Sequence, residues 1–144
     1  MDFGEEMLMK RARWIAMASL AATALVGTAV VHEPGAQQPG FKRAVLQKQD
    51  LSVPGREVVV ALAEFEPGAA AGRHTHPGEE MGYVLEGTLV LEVDGKPPVT
   101  LKAGEVFFVP PGVVHDGRNA GAGQAKVLAT YVIEKGKPVA TPVK

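Results

Sequence analysis

Four side chains near the middle of this sequence are of types that bind transition-metal ions, and their spacing allows them to meet. His74 and His76 stand two residues apart, Glu80 follows the Pro77-Gly78 turn, and His115 lies further along the chain. Side chains two apart on a β-strand point to the same side, so the first two imidazoles lie side by side. Glu80 can return beside them on the neighbouring strand, and His115 must come from across the domain. Imidazole and carboxylate ligands suit one divalent Fe, Mn, Ni, Zn, Co or Cu ion, whose identity the sequence leaves open.

A structural interpretation of each residue competes with this hypothesis. A single histidine on a strand is more often a surface or core residue than a ligand, and a Glu-Glu pair is usually solvated. The joint spacing favours a metal, because three imidazoles and a carboxylate gathered in a small domain without a cation would be costly to desolvate. Glu79 competes with Glu80 as the ligand. Glu80 is the preferred choice because the extra residue lets the Pro-Gly turn close.

Composition excludes several classes of partner and chemistry. The chain has 144 residues and a formal net charge of -1, which argues against nucleic acid or an acidic membrane surface as a partner. Cysteine is absent, which excludes disulfides, thiolate ligands and a nucleophilic thiol. Any metal must therefore be held by nitrogen and oxygen.

The N-terminal region has the layout of a secretory signal peptide. Lys10, Arg11 and Arg13 precede an apolar run without a charge, and Gly27-Thr28-Ala29 offers a cleavage site of small residues. We therefore expect residues 1–29 to be a signal peptide and the protein to be periplasmic or secreted. The alternative is an uncleaved membrane anchor. If the leader is cleaved, no stable membrane association is expected.

The rest of the chain predicts a single all-β domain. Residues 30–40 read as a linker, and residues 41–136 contain eight to ten short β-type runs separated by turn residues such as Asp94-Gly95. This pattern is typical of a sandwich or barrel. Residues 137–144 are expected to form a tail that frays.

Two segments carry a resemblance to a known family. GAAAGRHTHPGEEMGYVLEG spans Gly68 to Gly87, and GEVFFVPPGVVHDGRN spans Gly104 to Asn119. Both match the two motifs of the cupin superfamily at every defined position, and the short spacer between them resembles the small single-domain (type 2) cupins. The resemblance implies an antiparallel jelly-roll β-barrel with a metal held by His74, His76, Glu80 and His115. It also implies a structural role for Asn119 and a homodimer.

The resemblance does not fix a reaction. The leading hypothesis is an exported metal-dependent enzyme, dioxygenase-like, acting on a small oxygenated molecule. The alternatives are a non-catalytic module that binds a small molecule or metal, and a cupin isomerase or lyase. No catalytic residue beyond the metal ligands is assigned. Six residues are near enough in sequence or strand order to be candidates for lining the pocket, namely Phe65, Arg73, Tyr83, Phe107, Phe108 and Tyr131.

Overall fold

The computed structural model describes residues 38–144 as an all-β domain of ten strands. The predicted signal peptide and most of the predicted linker lie outside the described residues. The strands are β1 (Phe41–Asp50), β2 (Arg56–Phe65), β3 (His74–Thr75), β4 (Gly78–Glu86), β5 (Thr88–Val93), β6 (Val99–Lys102), β7 (Val106–Val109), β8 (His115–Asn119), β9 (Ala125–Glu134) and β10 (Thr141–Pro142).

The strands form two five-stranded antiparallel sheets. Sheet A has the order β1-β2-β9-β4-β7, and sheet B has the order β10-β3-β8-β5-β6. The predicted all-β antiparallel architecture is confirmed. Within residues 38–144 no strand pairing joins the two sheets. The domain is therefore a pair of packed sheets rather than the closed barrel that the family resemblance implies.

Strict alternation on β2 and β9 explains how sheet A covers the core. Every second residue of each strand is buried, and the residues between them are half-buried or exposed. Buried side chains from both sheets pack into an apolar cluster, which includes Phe65 from sheet A and Leu89 and Leu91 from sheet B. Burial of these side chains stabilises the fold by about 1.5–3 kcal/mol each.

The chain passes from sheet A to sheet B at a glycine. Gly87 separates β4 from β5 and has a φ of 78°, a left-handed conformation that side chains disfavour. A Cβ there would also lie 2.5 Å from the carbonyl oxygen of Gln124. Both the positive φ and the lack of space for a Cβ therefore require glycine at this crossing. Strand β5 begins directly after it.

The C-terminal residues behave differently from the expectation that they fray. Thr141–Pro142 pairs with His74–Thr75 as the edge of sheet B, and the Val143 amide donates to the carbonyl of Arg73 at 2.9 Å. Val139 is fully buried. This segment is therefore part of sheet B, beside the strand that carries His74.

No helix within residues 38–144 has the length and apolar character needed to cross a bilayer.

Candidate metal centre

Three of the four predicted site residues lie on strands, and the fourth directly follows one. His74 lies on β3 directly opposite His115, the first residue of β8, in sheet B. His76 follows β3, and Glu80 is the third residue of β4 in sheet A. All four side chains are buried, so the interface between the sheets brings together residues that are up to 41 positions apart.

The ligand atoms of these residues converge. One nitrogen from each of His74, His76 and His115 lies within 4.8 Å of the other two. The Glu80 Oε2 atom lies 2.9 Å from His115 Nε2 and 3.1 Å from His76 Nε2. Two ligands at right angles, each about 2.1 Å from an ion, are about 3.0 Å apart, so these separations fit a shared cation.

Backbone carbonyls fix the same tautomer in all three histidines. A carbonyl oxygen can only accept, so each ring must carry its proton on Nδ1 and donate it, which leaves the Nε2 lone pair available for a metal. The hydrogen bonds run from His74 Nδ1 to Gly72 O at 2.6 Å, from His76 Nδ1 to Val139 O at 2.5 Å, and from His115 Nδ1 to Val113 O at 2.9 Å.

The Nε2 atom of His76 gives a direct test of whether a cation fits. It is buried and makes no hydrogen bond, although Glu80 Oε2 is only 3.1 Å away. An unsatisfied buried nitrogen costs free energy unless something binds it. The donor set and this orphaned atom both fit a metal ion.

Charge distribution among these groups follows from their burial and pairing. Burial lowers the pKa of His74 to about 3, so its ring is neutral near neutral pH. Burial alone would raise the pKa of Glu80, but the hydrogen bond with His115 and the nearby His76 ring outweigh it and move that pKa well below its usual range. Burial works against protonation of His115 also, and the Glu80 carboxylate overcomes it and raises the His115 pKa. A metal ion at the centre would therefore replace the proton shared by His115 and Glu80.

A small cavity of about 30 Å³ lies beside the ligands, between the two sheets. A cavity needs about 10–15 Å³ to hold one water, so there is room for about two waters or a group of similar size. Its polar lining consists of Arg43, His74, Glu80, His115 and Tyr131, and its apolar lining includes Phe41, Phe65, Leu89 and Phe107.

Arg43 brings a positive charge to this cavity. Its guanidinium carbon lies 5.4 Å from the centre of the Phe41 ring and 5.8 Å from that of Tyr131, distances at which a cation is attracted to an aromatic face. Tyr131 is fully buried and packs against His76 with ring centres 4.7 Å apart. Burial and the nearby Glu80 charge raise the pKa of Tyr131, so its phenol stays protonated.

Sequence reasoning identified part of this lining and missed part of it. Phe65, Phe107 and Tyr131 line the cavity as suggested, whereas Arg73, Tyr83 and Phe108 do not. Arg73 instead pairs with Asp94 at 2.8 Å on the surface.

Arg43 was not among the predicted residues. Strand alternation could have revealed it. Arg43 lies two residues after the buried Phe41, so both side chains point to the inward side of β1.

Asn119 has the structural role that the family resemblance implies. Its side chain donates to the carbonyls of Phe65 at 3.1 Å and Gly123 at 2.7 Å, and it accepts from the Gly121 amide at 2.8 Å. These bonds tie β2 to the loop before β9. The side chain is fully buried and is not part of the cavity lining.

Comparison with known proteins gives the family. The model of the cupin domain matches residues 61–131, and solved structures similar to this chain are described as cupins. The chain belongs to the cupin superfamily.

Three individual similarities are informative. The chain is 36% identical over 84 residues to the beta-alanine degradation protein BauB of Pseudomonas aeruginosa, covering 57% of this chain and 88% of that one. It is 32% identical to the crystal structure of a "predicted oxalate decarboxylase" of Thermotoga maritima, with a TM-score of 0.55, covering 65% of this chain and 80% of the other. It is also 33% identical over 79 residues to the HTH-type transcriptional regulator PuuR of Escherichia coli.

The similarity to PuuR covers 54% of this chain and only 42% of the regulator. The chain spans less than half the length of the first curated relatives it matches. Residues 38–144 contain no α-helix, so no helix-turn-helix lies within the described part of the chain.

Proposed function

We propose that this protein is an exported metal-dependent oxidoreductase of the dioxygenase-like kind, acting on a small oxygenated molecule that carries a carboxylate. The observation that carries the proposal is the set of three histidines whose Nδ1 atoms are all engaged by carbonyls, with Glu80 beside the Nε2 atoms of His76 and His115. Such a donor set is built to hold a cation rather than to stabilise a core.

His74, His76, Glu80 and His115 would hold one divalent transition metal, with Fe, Mn, Ni, Zn, Co and Cu as the chemically suitable ions. These four ligands would leave room at a six-coordinate ion for water, substrate or dioxygen. The metal would supply Lewis acidity or bring substrate and dioxygen together.

The chain's own residues supply selection and orientation. Arg43 places a guanidinium at the cavity, and a guanidinium is the side chain best suited to pair with a carboxylate. The cavity of about 30 Å³ admits a carboxylate group or a diatomic molecule and is too small for an aromatic ring system. The apolar walls formed by Phe65, Leu89 and Phe107 exclude bulk water, which strengthens the interaction of Arg43 with an anion.

The similarities support this substrate class. The Thermotoga maritima protein is described by an activity on oxalate, and BauB by the degradation of beta-alanine. Both compounds are small carboxylates. The proposed preference for a small carboxylate therefore agrees with the charge and size of the cavity.

Reconstitution tests the activity. Protein purified without a histidine tag is analysed for metals, then loaded separately with Fe, Mn, Ni, Zn, Co and Cu and supplied with oxalate, glycolate and other short carboxylates. Oxygen consumption or product release with at least one metal, absent in the matched His115→Ala protein, is the expected result. If no metal binds at one equivalent, the proposal is wrong.

A non-catalytic binding module is the second candidate, and the cavity lining favours it over an isomerase or lyase. Apart from the proposed ligands, the polar groups of the lining are Arg43 and Tyr131. A guanidinium has donors but no acceptor, and burial raises the pKa of Tyr131, so neither suits the role of a general acid or base. Isomerases and lyases usually need a general acid or base. Carboxylate binding by the metal-loaded protein without turnover, measured by calorimetry, would select this candidate.

We also propose that residues 1–29 are a cleaved signal peptide that directs the protein to the periplasm or the exterior. The basic start, the apolar run and the small residues before position 30 support export. N-terminal sequencing of the protein from fractionated cells should begin at or after position 30. An intact N-terminus in the cytoplasmic fraction would contradict export.

A further inference from the structure

Tyr131 is the largest of the fully buried side chains in the part of the chain that the structure describes, and it lies beside the candidate metal centre. Strand register places it directly opposite Glu80, on the neighbouring strand of sheet A. Both side chains point into the core, and directly opposite side chains on one face of a sheet have Cβ atoms about 4.5–5.5 Å apart. Tyr131 is therefore the cross-strand neighbour of a proposed metal ligand.

Two further groups of the site lie against the ring of Tyr131. The ring centre is 4.7 Å from that of His76 and 5.8 Å from the guanidinium carbon of Arg43. Arg43 is the residue that the proposed function assigns to the substrate carboxylate. One aromatic side chain therefore adjoins two proposed ligands, Glu80 and His76, and the group proposed to bind the substrate.

Small side chains allow Arg43 to reach Tyr131 across sheet A. Arg43 pairs with Ala63 of β2. Tyr131 pairs with Val59, four residues earlier on the same strand, so the two side chains start from distant points of the sheet. The inward positions on the path between them are all alanine, namely Ala61, Ala63 and Ala129. Because an alanine side chain is a single methyl group, the two long side chains can extend toward each other above it.

The phenol of Tyr131 lies between opposite charges. Burial raises the pKa of Tyr131, the Glu80 carboxylate raises it further, and the Arg43 guanidinium lowers it. Both charges therefore act on the hydroxyl. A protonated phenol can accept one hydrogen bond and donate another, whereas a guanidinium only donates and a carboxylate only accepts. A chain that runs from guanidinium to phenol to carboxylate thus satisfies all three groups.

We infer that Tyr131 is a positioning residue, whose hydroxyl accepts a hydrogen bond from Arg43 and donates one to Glu80. The acceptor on Glu80 is Oε1, because its contacts with His76 and His115 are both made through Oε2. Tyr131 thereby holds the guanidinium at the cavity and orients the carboxylate of a proposed ligand. The consequence for substrate binding rests on the proposed function, whereas the contacts of the hydroxyl belong to the metal-free protein.

The first experiment measures glycolate binding to the zinc-loaded full chain by calorimetry. Tyr131→Phe keeps the ring and removes only the hydroxyl, and it should weaken glycolate binding about 10-fold, because the guanidinium loses the bond that orients it. Tyr83→Phe is the matched control, since it alters the only other tyrosine of the sequence, which is 44% exposed on the outer side of β4. The control should bind glycolate within about twofold of the wild-type protein. Wild-type affinity in Tyr131→Phe would overturn the inference.

A double variant separates positioning from a general effect on packing. Arg43→Met removes the guanidinium, so the hydroxyl of Tyr131 has no cation left to orient. The protein that carries both Arg43→Met and Tyr131→Phe should bind glycolate within about twofold of Arg43→Met alone. If the second substitution weakens binding as much as it does in the wild-type protein, the two residues act independently and the inference is wrong.

A third measurement needs neither the metal nor a carboxylate. Nitrogen-15 NMR of the metal-free full chain detects the guanidinium protons of Arg43, which are assigned by their absence in Arg43→Met. A guanidinium held by a buried phenol should give separate, slowly exchanging Nη proton signals, and Tyr131→Phe should lose them while Tyr83→Phe keeps them. Averaged signals in the wild-type protein, or unchanged signals in Tyr131→Phe, would refute the contact. If the wild-type protein binds no zinc, the proposed function fails, and these signals still decide the inference.

Discussion

Strand β4 presents Glu80 and Gly82 to the interior of the molecule and Met81 and Tyr83 to the exterior. A carboxylate is thus buried while two large side chains of mainly apolar character are exposed. Both faces depart from the ordinary rule that apolar residues point inward. On the inner face the buried Glu80 belongs to the proposed metal centre, and on the outer face Met81 and Tyr83 line an exposed apolar groove. The comparison teaches that adjacent residues of one strand can serve separate functions.

The strongest test of the inner face is removal of a ligand. His115→Ala should lower metal affinity at least 1,000-fold, because one donor is lost and Glu80 loses its closest nitrogen. Metal stoichiometry after dialysis, measured by mass spectrometry, should fall from near one to near zero. Met81→Ala, on the opposite face of β4, should leave it unchanged. Equal stoichiometry in His115→Ala and the wild-type protein would remove His115 from the site.

Acid should weaken the metal-free protein through His74. Burial lowers the folded-state pKa of His74 from 6.5 to about 3, so between these values only the unfolded chain binds a proton there. The free energy of unfolding should therefore fall with falling pH, by about 3–5 kcal/mol over the whole interval. The lowered pKa of Glu80 adds to the loss below about pH 4.5. The raised pKa of His115 has the opposite sign, since its contribution is present at low pH and is lost as pH rises above 6.5.

Urea denaturation with a chelator at several pH values between 7 and 4 measures this slope. His74→Phe removes the titrating group from the same face and should flatten the dependence. The outer-face variant Met81→Ala should keep the wild-type slope. A His74→Phe protein with the full wild-type slope would show that acid acts elsewhere.

The C-terminal segment should affect the inner face alone. Deleting residues 138–144 removes the Val139 carbonyl that accepts from His76 Nδ1, and loss of such a partner costs about 10–100-fold in metal affinity. Val139→Ala is the control, because it keeps the carbonyl while removing buried side-chain atoms. It should lower stability and leave affinity within about threefold, since the hydrogen bond is preserved. If the control loses as much metal affinity as the deletion, general destabilisation explains the effect.

A smaller effect is expected where the inner face of β4 meets β7. A Cβ on Gly82 would lie 2.1 Å from the Phe107 ring, so Gly82→Ala should destabilise the fold by about 1–3 kcal/mol. Gly123→Ala is the matched control, because a Cβ on Gly123 would have no other atom within 4 Å. Urea denaturation of both proteins measures the difference. Equal stability would mean that the Phe107 ring moves aside without cost.

Local patterns were sufficient to predict the strands and to select the four clustered residues. Period-two alternation predicts which side of β2 and β9 is buried, and the two-residue spacing of His74 and His76 predicts their shared side. The assignment of these residues as ligands stays a prediction until a metal is measured. The domain boundaries and the export of the protein stay predictions as well.

Features that depend on contacts distant in sequence could not be predicted. The C-terminal tail reads as polar and proline-containing, yet Val139 reaches His76 across 63 positions. Closure of a barrel also depends on whether strands of one sheet form hydrogen bonds with strands of the other. No local sequence pattern specifies this. Arg43 was missed because an arginine on a strand ordinarily faces solvent, although it lies two residues after the buried Phe41 and therefore on the inward side of β1.

The acceptors that orient the three rings all belong to the main chain. A carbonyl is present in every amino acid, so replacing Val113 or Val139 with another residue leaves the acceptor in place if the path of the chain is kept. Gly72 is the exception, because its φ of 85° is a conformation that side chains disfavour. An engineer could therefore reshape the walls around this centre one side chain at a time without altering the imidazole tautomers. Insertions and deletions, which shift the backbone itself, are the changes that would disturb them.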